Sequence, residues 1–187
     1  MNFPMVIDNF ISDENIKIVN SWLAQNGDQL FEQSKTADSY WNQRAIYYSW
    51  MPEDIQKILM NAVLRMKSEI EIHDGPVFAE YPQFIRWQAG ASLDPPHADC
   101  VNPDGTPNAS PWRSHGAVMY FNEDFEGGEL FYPNYNLIIK PKAGMAGIHR
   151  ADLDCLHGVK MVTSGTRMTA SVFFSKDEEL ARKNRWF

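Results

Sequence analysis

The spacing of apolar residues changes at Gly75. Before that residue, apolar side chains recur every three or four positions, which is the period of an amphipathic helix. Ser12 can cap a first helix, which Asn26 and Gly27 are expected to end. A second helix is predicted to begin at Pro52, because proline suits a first helical turn. We expect both helices to pack against a sheet.

After Gly75 the chain consists of short apolar runs separated by glycine, proline and asparagine. This pattern is typical of antiparallel strands joined by turns. The predicted strands are residues 77–87, 97–100, 117–121, 129–132, 137–140, 143–149, 157–159 and 167–174. Eight strands suit a jelly roll. The pattern therefore predicts a mainly β protein with flanking packing helices, in the α+β class.

The composition fits one globular domain. The 187 residues are 44% apolar and 22% charged, which is enough to form a core without disulfide bonds or structural metal. No linker, repeat or low-complexity segment divides them. We expect a single domain over residues 1–187, made of a helical support region (1–75), a jelly-roll core (76–175) and a C-terminal tail (176–187).

Charge and segment composition narrow the partners. The formal net charge of −7 argues against nucleic acid, since its phosphates are bound by lysine and arginine. No run approaches the ~18 apolar residues of a membrane span, and the first residues lack the order of a secretory signal. Cys100 and Cys155 cannot form a disulfide framework and are interpreted as small buried side chains. We expect a cytoplasmic protein without membrane or nucleic-acid partners.

Candidate chemistry begins with His97 and Asp99. Side chains two residues apart on an extended strand point to the same face, so an imidazole and a carboxylate can reach one ion there. Two ligands form an incomplete site. A second histidine would complete the two-histidine, one-carboxylate set of non-haem Fe(II) oxygenases. Four further histidines are available: His73, His115, His149 and His157.

Arg167 favours His157 as the third ligand. Arg167 and Thr169 are two residues apart on a predicted strand, so a guanidinium and a hydroxyl can hold one carboxylate together. Residues 163–166 predict a turn that would place the His157 strand antiparallel beside the Arg167 strand. His149 could replace His157 but lacks such a partner at a suitable downstream spacing, and the other two histidines are interpreted as structural.

Two further segments are candidates to shape the site. Residues 102–114 are too rich in proline, glycine and asparagine for regular structure, and their position directly after Asp99 predicts a lid. Aromatic residues are concentrated between residues 34 and 50. Half-buried strands beside a pocket and plain core aromatics both fit that concentration.

Seven short motifs follow one another in the second part of the chain: WQAG at residues 87–90, HAD at 97–99, YFN at 120–122, EGGELFYP at 126–133, KPKAG at 140–144, LHGV at 156–159 and SGTRMT at 164–169. Their order and spacing resemble the Fe(II)- and 2-oxoglutarate-dependent dioxygenases, and within that family the prolyl 4-hydroxylase-like branch. The resemblance implies a double-stranded β-helix, which is the cupin-like form of the jelly roll.

The resemblance also implies the metal site. Iron would be held by His97, Asp99 and His157, which leaves coordination positions open for 2-oxoglutarate and O2. The cofactors implied are therefore Fe(II), 2-oxoglutarate as cosubstrate and O2, with ascorbate as a further candidate.

The same resemblance implies a binding site for the cosubstrate. Arg167 would bind the distal carboxylate of 2-oxoglutarate, with the hydroxyls of Thr169 and Tyr120 as further donors. Trp87 stands where many members of the family have a tyrosine, and its indole can donate one hydrogen bond and pack against the cosubstrate.

The implied reaction is hydroxylation of an aliphatic C–H bond, most plausibly in a prolyl residue of a peptide or protein. Aromatic residues between 40 and 50, together with Trp112 and Arg113, are candidates to line a groove for such a rigid ligand. One alternative is an oxygenase that acts on a free amino acid or small metabolite. A second alternative is a catalytically inactive jelly-roll binding module, although packing alone does not require buried charges such as Asp99 and Arg167.

Overall fold

The computed structural model describes residues 3–35 and 39–183. The helices of these residues are α1 (Asp13–Gln33), α2 (Glu53–Asp74) and α3 (Glu178–Lys183). The strands are β1 (Met5–Ile7), β2 (Ala45–Ile46), β3 (Phe78–Ala79), β4 (Gln83–Gln88), β5 (Leu93–His97), β6 (Arg113–Tyr120), β7 (Glu126–Gly127), β8 (Leu130–Tyr132), β9 (Leu137–Ile139), β10 (Ala146–Arg150), β11 (His157–Val159), β12 (Val162–Ser164) and β13 (Thr166–Ser175). Short 3-10 helices occupy Ser39–Trp41, Tyr48–Trp50, Pro133–Tyr135 and Leu153–Cys155.

The strands form two larger antiparallel sheets. One has the order β1-β10-β6-β13-β4-β2, with β3 also paired to β13, and the other has the order β5-β11-β8-β9. A separate ribbon pairs β7 with β12. The predicted jelly roll with N-terminal packing helices is confirmed by this arrangement.

Alternation along the central strands divides the buried residues into two clusters. On β6, Ala117 and Met119 pack with apolar residues of α1 and α2. The intervening Val118 and Tyr120 point to the other side of the sheet, where they meet Tyr132 of the smaller sheet. Because strand side chains alternate between faces, the large sheet is covered by helices on one face and encloses the candidate site on the other.

The first helix is longer than the sequence predicts. It begins after the predicted cap, since the Ser12 side chain accepts a hydrogen bond from the Asn15 backbone N–H, but it continues past Gly27 to Gln33. Gly27 is buried between Leu23 and Phe31. The apolar face continues through this turn, and its packing outweighs the cost of about 1 kcal/mol for glycine inside a helix.

Three predictions about strands are wrong. The single strand assigned to residues 77–87 is divided into β3 and β4. The strand assigned to residues 97–100 ends at His97 and extends backwards to Leu93. The strand of His157 does not pair with the strand of Arg167: β11 pairs with β5 and β8, whereas β13 pairs with β3, β4 and β6. The intervening β12 pairs with β7 instead of forming a hairpin between the two.

The ends of the predicted regions contain additional structure. The tail predicted for residues 176–187 includes α3, whose Ala181 is buried, while residues 184–187 lie outside the described part of the chain. In the aromatic segment 34–50 the structure has two 3-10 helices and the short strand β2, and residues 36–38 lie outside the described part. Within the described ranges, none of the helices has the length and apolar character needed to cross a bilayer.

Candidate metal centre

Two facing strands bring the predicted histidines together. His97 is the last residue of β5 and His157 the first residue of β11, and they are direct partners in the antiparallel register. Their ring centroids are 4.5 Å apart. Asp99 follows β5 in a bend, where its backbone N–H donates to the Ala151 carbonyl at 2.8 Å. The pairing of β5 with β11 thus brings His157 to His97, whereas the predicted extended strand carrying both His97 and Asp99 ends at His97.

The ligand atoms of His97, Asp99 and His157 converge. One such atom from each residue lies within 4.8 Å of the others. The Oδ1 atom of Asp99 lies 3.5 Å from Nε2 of His97 and 3.8 Å from Nε2 of His157. Two imidazoles and one carboxylate are a suitable donor set for Fe(II).

His157 is poised to offer a lone pair. Its Nδ1 donates to the Cys155 carbonyl at 3.0 Å, which leaves Nε2 as the unprotonated nitrogen facing Asp99. Burial is the main reason why the pKa of His157 falls to about 3. The imidazole is therefore neutral near pH 7, and a hydrogen bond from the second ring nitrogen to a carbonyl is the usual way to orient a metal-binding histidine.

Asp99 is buried as an anion. Burial alone would raise the pKa of its carboxyl group, but His157, His149 and His97 around it hold the pKa well below the ordinary value. A carboxylate in such a place needs positive charge or hydrogen-bond donors. A divalent cation between Asp99 and the two histidines of β5 and β11 meets that need.

His149 is the residue whose role the sequence did not reveal. The structure places it beside the cluster, with Nε2 at 3.1 Å from Oδ2 of Asp99 and Nδ1 at 2.9 Å from the Tyr132 hydroxyl. Its ring centroid is 3.9 Å from that of His157. The only sequence signal was its position near the end of a predicted strand, which did not indicate the face or the partners. His115, interpreted as structural, contacts Asp74 and Ser114.

Arg167 is a buried cation without an anion. The residue is 1% exposed, and its Nη2 donates to the Tyr120 hydroxyl at 3.4 Å. Within the described part of the chain, Nε and Nη1 have no hydrogen-bond partner. The guanidinium carbon lies 5.1 Å from the ring centroids of both Trp87 and Tyr120. Because an unpaired buried charge is costly, this pocket suits the carboxylate of a ligand.

Trp87 and Thr169 form part of the wall of this pocket. The indole N–H of Trp87 donates to Oγ1 of Thr169 at 3.2 Å, and that hydroxyl lies 3.3 Å from the Ile85 carbonyl. The single hydroxyl proton is therefore directed at Ile85, and Trp87 fills the acceptor side. This contact fixes the Thr169 rotamer in the present structure. The predicted roles of Thr169, Tyr120 and Trp87 in holding a cosubstrate stay predictions.

The two halves of the site adjoin one another. Tyr120, which contacts Arg167, belongs to the same buried cluster as Tyr132. Tyr132 in turn is 5.9 Å from His157 between ring centroids. Three residues that could hold a metal ion and a buried arginine with two unpaired nitrogens thus share one interior, which fits a metal together with an acidic cosubstrate.

Part of the aromatic segment borders this interior. Trp41 meets Trp87 edge to face, with 5.7 Å between ring centroids, and Tyr40 meets Trp41 in the same way at 4.9 Å. The Tyr40 hydroxyl donates to the Ser92 carbonyl just before β5. In contrast, Tyr48 stacks on Tyr81 elsewhere. The aromatic segment therefore supplies both a wall near the site and plain packing.

The loop predicted as a lid is bonded to its surroundings. Trp112 and Arg113 at its end donate to the buried carboxylate of Glu80, and Arg113 also lies over the ring of Phe173. At its middle, the Asn108 side chain donates to the Ala98 carbonyl at 3.5 Å. Trp112 and Arg113 thus anchor the end of the loop, and a lid motion of this loop stays a prediction.

The two cysteines are free thiols. Cys155 is buried and Cys100 is partly exposed. Burial raises the pKa of each thiol, so both are protonated and unreactive near pH 7. The interpretation of the cysteines as small buried side chains agrees with the position of Cys155, whereas Cys100 is only partly buried.

The chain is similar to known proteins in both sequence and fold. The model of the 2OG-Fe(II) oxygenase superfamily matches residues 82–175, which is half of the chain. Among curated proteins, prolyl 3-hydroxylase 2 of Homo sapiens is 34% identical over 90 residues. That match covers 46% of this chain and 12% of the human protein, so the chain corresponds to a small part of that relative.

Two solved structures share the fold over most of the chain. A viral collagen prolyl hydroxylase from Paramecium bursaria Chlorella virus-1, solved as a 2OG complex, has a TM-score of 0.68 at 19% identity, and the match covers 94% of this chain and 97% of that one. A prolyl hydroxylase from Trichoplax adhaerens, in complex with a hypoxia inducible factor peptide fragment, has a TM-score of 0.69 at 17% identity, with 99% and 86% covered.

Proposed function

The chain belongs to the 2OG-Fe(II) oxygenase superfamily, and on that premise we propose that it is an Fe(II)- and 2-oxoglutarate-dependent dioxygenase that hydroxylates prolyl residues in a peptide. The observation that carries the proposal is that two complementary sites share one interior. His97, Asp99 and His157 each direct a ligand atom to one place, within 4.8 Å of one another. Among the described residues, two nitrogens of the buried Arg167 have no hydrogen-bond partner. Fe(II) fits the first site, and a carboxylate of 2-oxoglutarate fits the second.

The proposed roles follow from the contacts. His97, Asp99 and His157 hold the iron, and Arg167 binds the distal carboxylate of 2-oxoglutarate through the two nitrogens that lack a partner. When bound, iron lets 2-oxoglutarate and O2 react with a C–H bond, so that the substrate gains a hydroxyl group while succinate and carbon dioxide are released. The protein contributes orientation and a dry interior.

Hydrogen bonds already present would orient this machinery. The Cys155 carbonyl holds the ring of His157, and Tyr120 holds one nitrogen of Arg167. Burial raises the pKa of Tyr120 although Arg167 opposes the change. The phenol therefore keeps its proton and can donate it to a carboxylate beside Arg167.

A prolyl substrate is proposed from the aromatic wall and from the relatives. Tyr40, Trp41 and Trp87 form a row of edge-to-face contacts that leads from the surface to Arg167. Aromatic surfaces favour rigid, extended ligands such as proline-containing segments. The human relative and both fold relatives carry prolyl hydroxylase in their names, which supports the same substrate class.

The proposal is tested by measuring succinate released from 2-oxoglutarate with Fe(II), O2 and ascorbate. The panel contains peptides with one proline, the same peptides with alanine in its place, free proline and other free amino acids. We expect substrate-dependent succinate only with the proline peptides, together with a mass increase of one oxygen atom on the peptide. The Asp99→Ala variant is the matched negative control.

Two other outcomes of this assay would support the two alternative functions. Coupled succinate with free amino acids alone would replace the peptide by a small substrate. An absence of coupled succinate with the whole panel, in a protein that still binds iron and 2-oxoglutarate, would favour the binding module.

A further inference from the structure

The two carboxylate oxygens of Asp99 face different groups. Oδ1 faces Nε2 of His97 at 3.5 Å and Nε2 of His157 at 3.8 Å. Oδ2 lies 3.1 Å from Nε2 of His149. One oxygen is therefore directed into the proposed metal site and the other into a hydrogen bond.

The hydrogen bonds around His149 have one consistent direction. A carboxylate can only accept, so Nε2 of His149 carries the proton and donates to Asp99. Nδ1 lies 2.9 Å from the Tyr132 hydroxyl, which donates to it whenever the imidazole is neutral. With its N–H facing Asp99, Nε2 has no lone pair to offer a metal.

The fold leaves room for this contact at one glycine. Gly116 on β6 is the register partner of His149 on β10. A Cβ atom at Gly116 would lie 2.5 Å from Oδ2 of Asp99 and 2.7 Å from Nε2 of His149. Any other residue would therefore displace the hydrogen bond. On the opposite side the His149 ring lies against His157, so the imidazole is enclosed in one orientation.

We propose that His149, oriented by Tyr132 and admitted by Gly116, is a positioning residue that reserves Oδ2 of Asp99, so that Asp99 binds the metal through Oδ1 alone. The inference rests on the proposed function, because it concerns the same metal. A carboxylate that turned both oxygens to the metal would occupy a coordination position that 2-oxoglutarate or O2 requires. His149 thus keeps the site open without being a ligand.

The experiment compares variants by anaerobic titration with Co(II), which needs no turnover. His149→Phe keeps a ring but loses the N–H, and His149→Gln places an amide N–H near the position of Nε2. We expect His149→Phe to weaken Co(II) binding by about 10- to 100-fold, the usual effect of losing a partner of a ligand. Its visible Co(II) absorption should also weaken, because a second carboxylate oxygen raises the coordination number. His149→Gln should recover both properties in large part.

Two further variants test the hydrogen bond between His149 and Asp99 by changing neighbouring residues. Tyr132→Phe removes the donor to Nδ1 and should produce a smaller change of the same kind. Gly116→Ala should reproduce the effect of His149→Phe, because the added methyl group occupies the space of the contact. His115→Gln is the matched control: it alters another buried histidine on the same strand pair, on the opposite face, and should leave Co(II) absorption unchanged.

Thermal unfolding without metal shows whether each variant is folded, and variants are compared only in their folded state. A His149→Phe protein with the affinity and absorption of the parent would overturn the inference. Equal losses in His149→Phe and His149→Gln would also overturn it, since the N–H would then be irrelevant. If the parent protein and Asp99→Ala bind Co(II) alike, the metal site itself is wrong, and the proposed function fails with it.

Discussion

Asp74 is a partly buried carboxylate and Asp99 a buried one, and both contact histidine, but within the described residues an arginine pairs with Asp74 and none pairs with Asp99. Asp74, at the end of α2, accepts hydrogen bonds from Arg150 at 2.9 and 2.7 Å and lies 3.1 Å from Nε2 of His115. Asp99 is surrounded by histidines. The charge of Asp74 is thus balanced within the fold, whereas the charge of Asp99 is left for a ligand to balance.

The two clusters are built from neighbouring residues of the same strand pair. In the register of β6 and β10, Arg150 faces His115 and His149 faces Gly116. Successive residues of a strand point to opposite faces. His115 and Arg150 therefore contact Asp74 on the face beside the helices, whereas Gly116 and His149 lie beside Asp99 in the interior. Sequence neighbours therefore belong to a structural ion pair on one face and to a binding site on the other.

Replacements of Asp74 and Asp99 should differ most in how far metal raises the melting temperature of the protein. Under anaerobic conditions, Fe(II) at about 100 times its Kd should stabilise the parent protein by about 2.7 kcal/mol, or roughly 5–10 °C for a chain of this size. Asp99→Ala should abolish this shift in a thermal unfolding scan. Asp74→Asn should lower the melting temperature of the metal-free protein but keep the shift caused by Fe(II), because it leaves the proposed ligand atoms in place.

A shift that survives in Asp99→Ala would remove the basis of the comparison, since iron would then bind elsewhere. Loss of the shift in a folded Asp74→Asn protein would mean that the two clusters are coupled through β6 and β10.

The arginines provide the second test. Replacing Arg150 leaves Asp74 with His115 alone, and hydrogen bonds to a charged group are worth about 1.5–3 kcal/mol, so Arg150→Met should lower the free energy of unfolding by about 1–3 kcal/mol. The Arg150 side chain is 33% exposed, which favours the lower part of that range. Arg167→Met removes an unpaired buried charge and should not lower the stability of the ligand-free protein.

For the affinity of 2-oxoglutarate, in contrast to stability, Arg167 should matter and Arg150 should not. Arg167→Met should weaken 2-oxoglutarate by about 30-fold or more, because losing one partner of a buried charge pair costs about 2 kcal/mol or more. Arg150→Met should not affect that affinity. Urea unfolding and calorimetric titration with 2-oxoglutarate, in the presence of a metal that does not react, measure both properties. Equal loss of iron and 2-oxoglutarate in Arg167→Met would contradict its separate role.

The parts of the site that the sequence predicts are those carried by linear spacing. His97 and Asp99 stand two residues apart, and Arg167 and Thr169 do the same, so each pair is visible in the chain itself. Helix α2 was predicted for a similar reason, since its apolar period runs without interruption to a glycine with positive φ. Local patterns of this kind need no knowledge of which strands pair.

The contacts that the sequence did not predict depend on strand pairing. His149 reaches Asp99 across 50 residues, and Arg150 reaches Asp74 across 76. Pairing of β10 with β6 places His149 and Arg150 on opposite faces of the sheet, and no local pattern encodes which residues they meet there. The wrong pairing of the His157 and Arg167 strands has the same origin: a turn at residues 163–166 was visible, but β12 intervenes and pairs with β7.

The smallest expected effect is the acid dependence of the Asp74 cluster. Hydrogen bonds from Arg150, and to a lesser degree from His115, hold the pKa of Asp74 at about 2 against burial, which would raise it from 3.8. A carboxylate with a depressed pKa stabilises the fold above its unfolded-state pKa and loses that contribution as the pH falls through its folded-state pKa. The contribution of Asp74 should therefore be complete above 3.8 and be lost towards about 2.

Comparison of the parent protein with Asp74→Asn isolates this contribution from that of Asp99, which both proteins retain. The difference in free energy of unfolding, about 1–3 kcal/mol, should be constant from neutral pH to about pH 5 and shrink below about pH 4. Urea unfolding at closely spaced pH values measures it. A difference that stays constant down to about pH 3 would show that folding does not lower the pKa of Asp74. Arg150 would then not stabilise the charge of Asp74, and the contrast between Asp74 and Asp99 would fail.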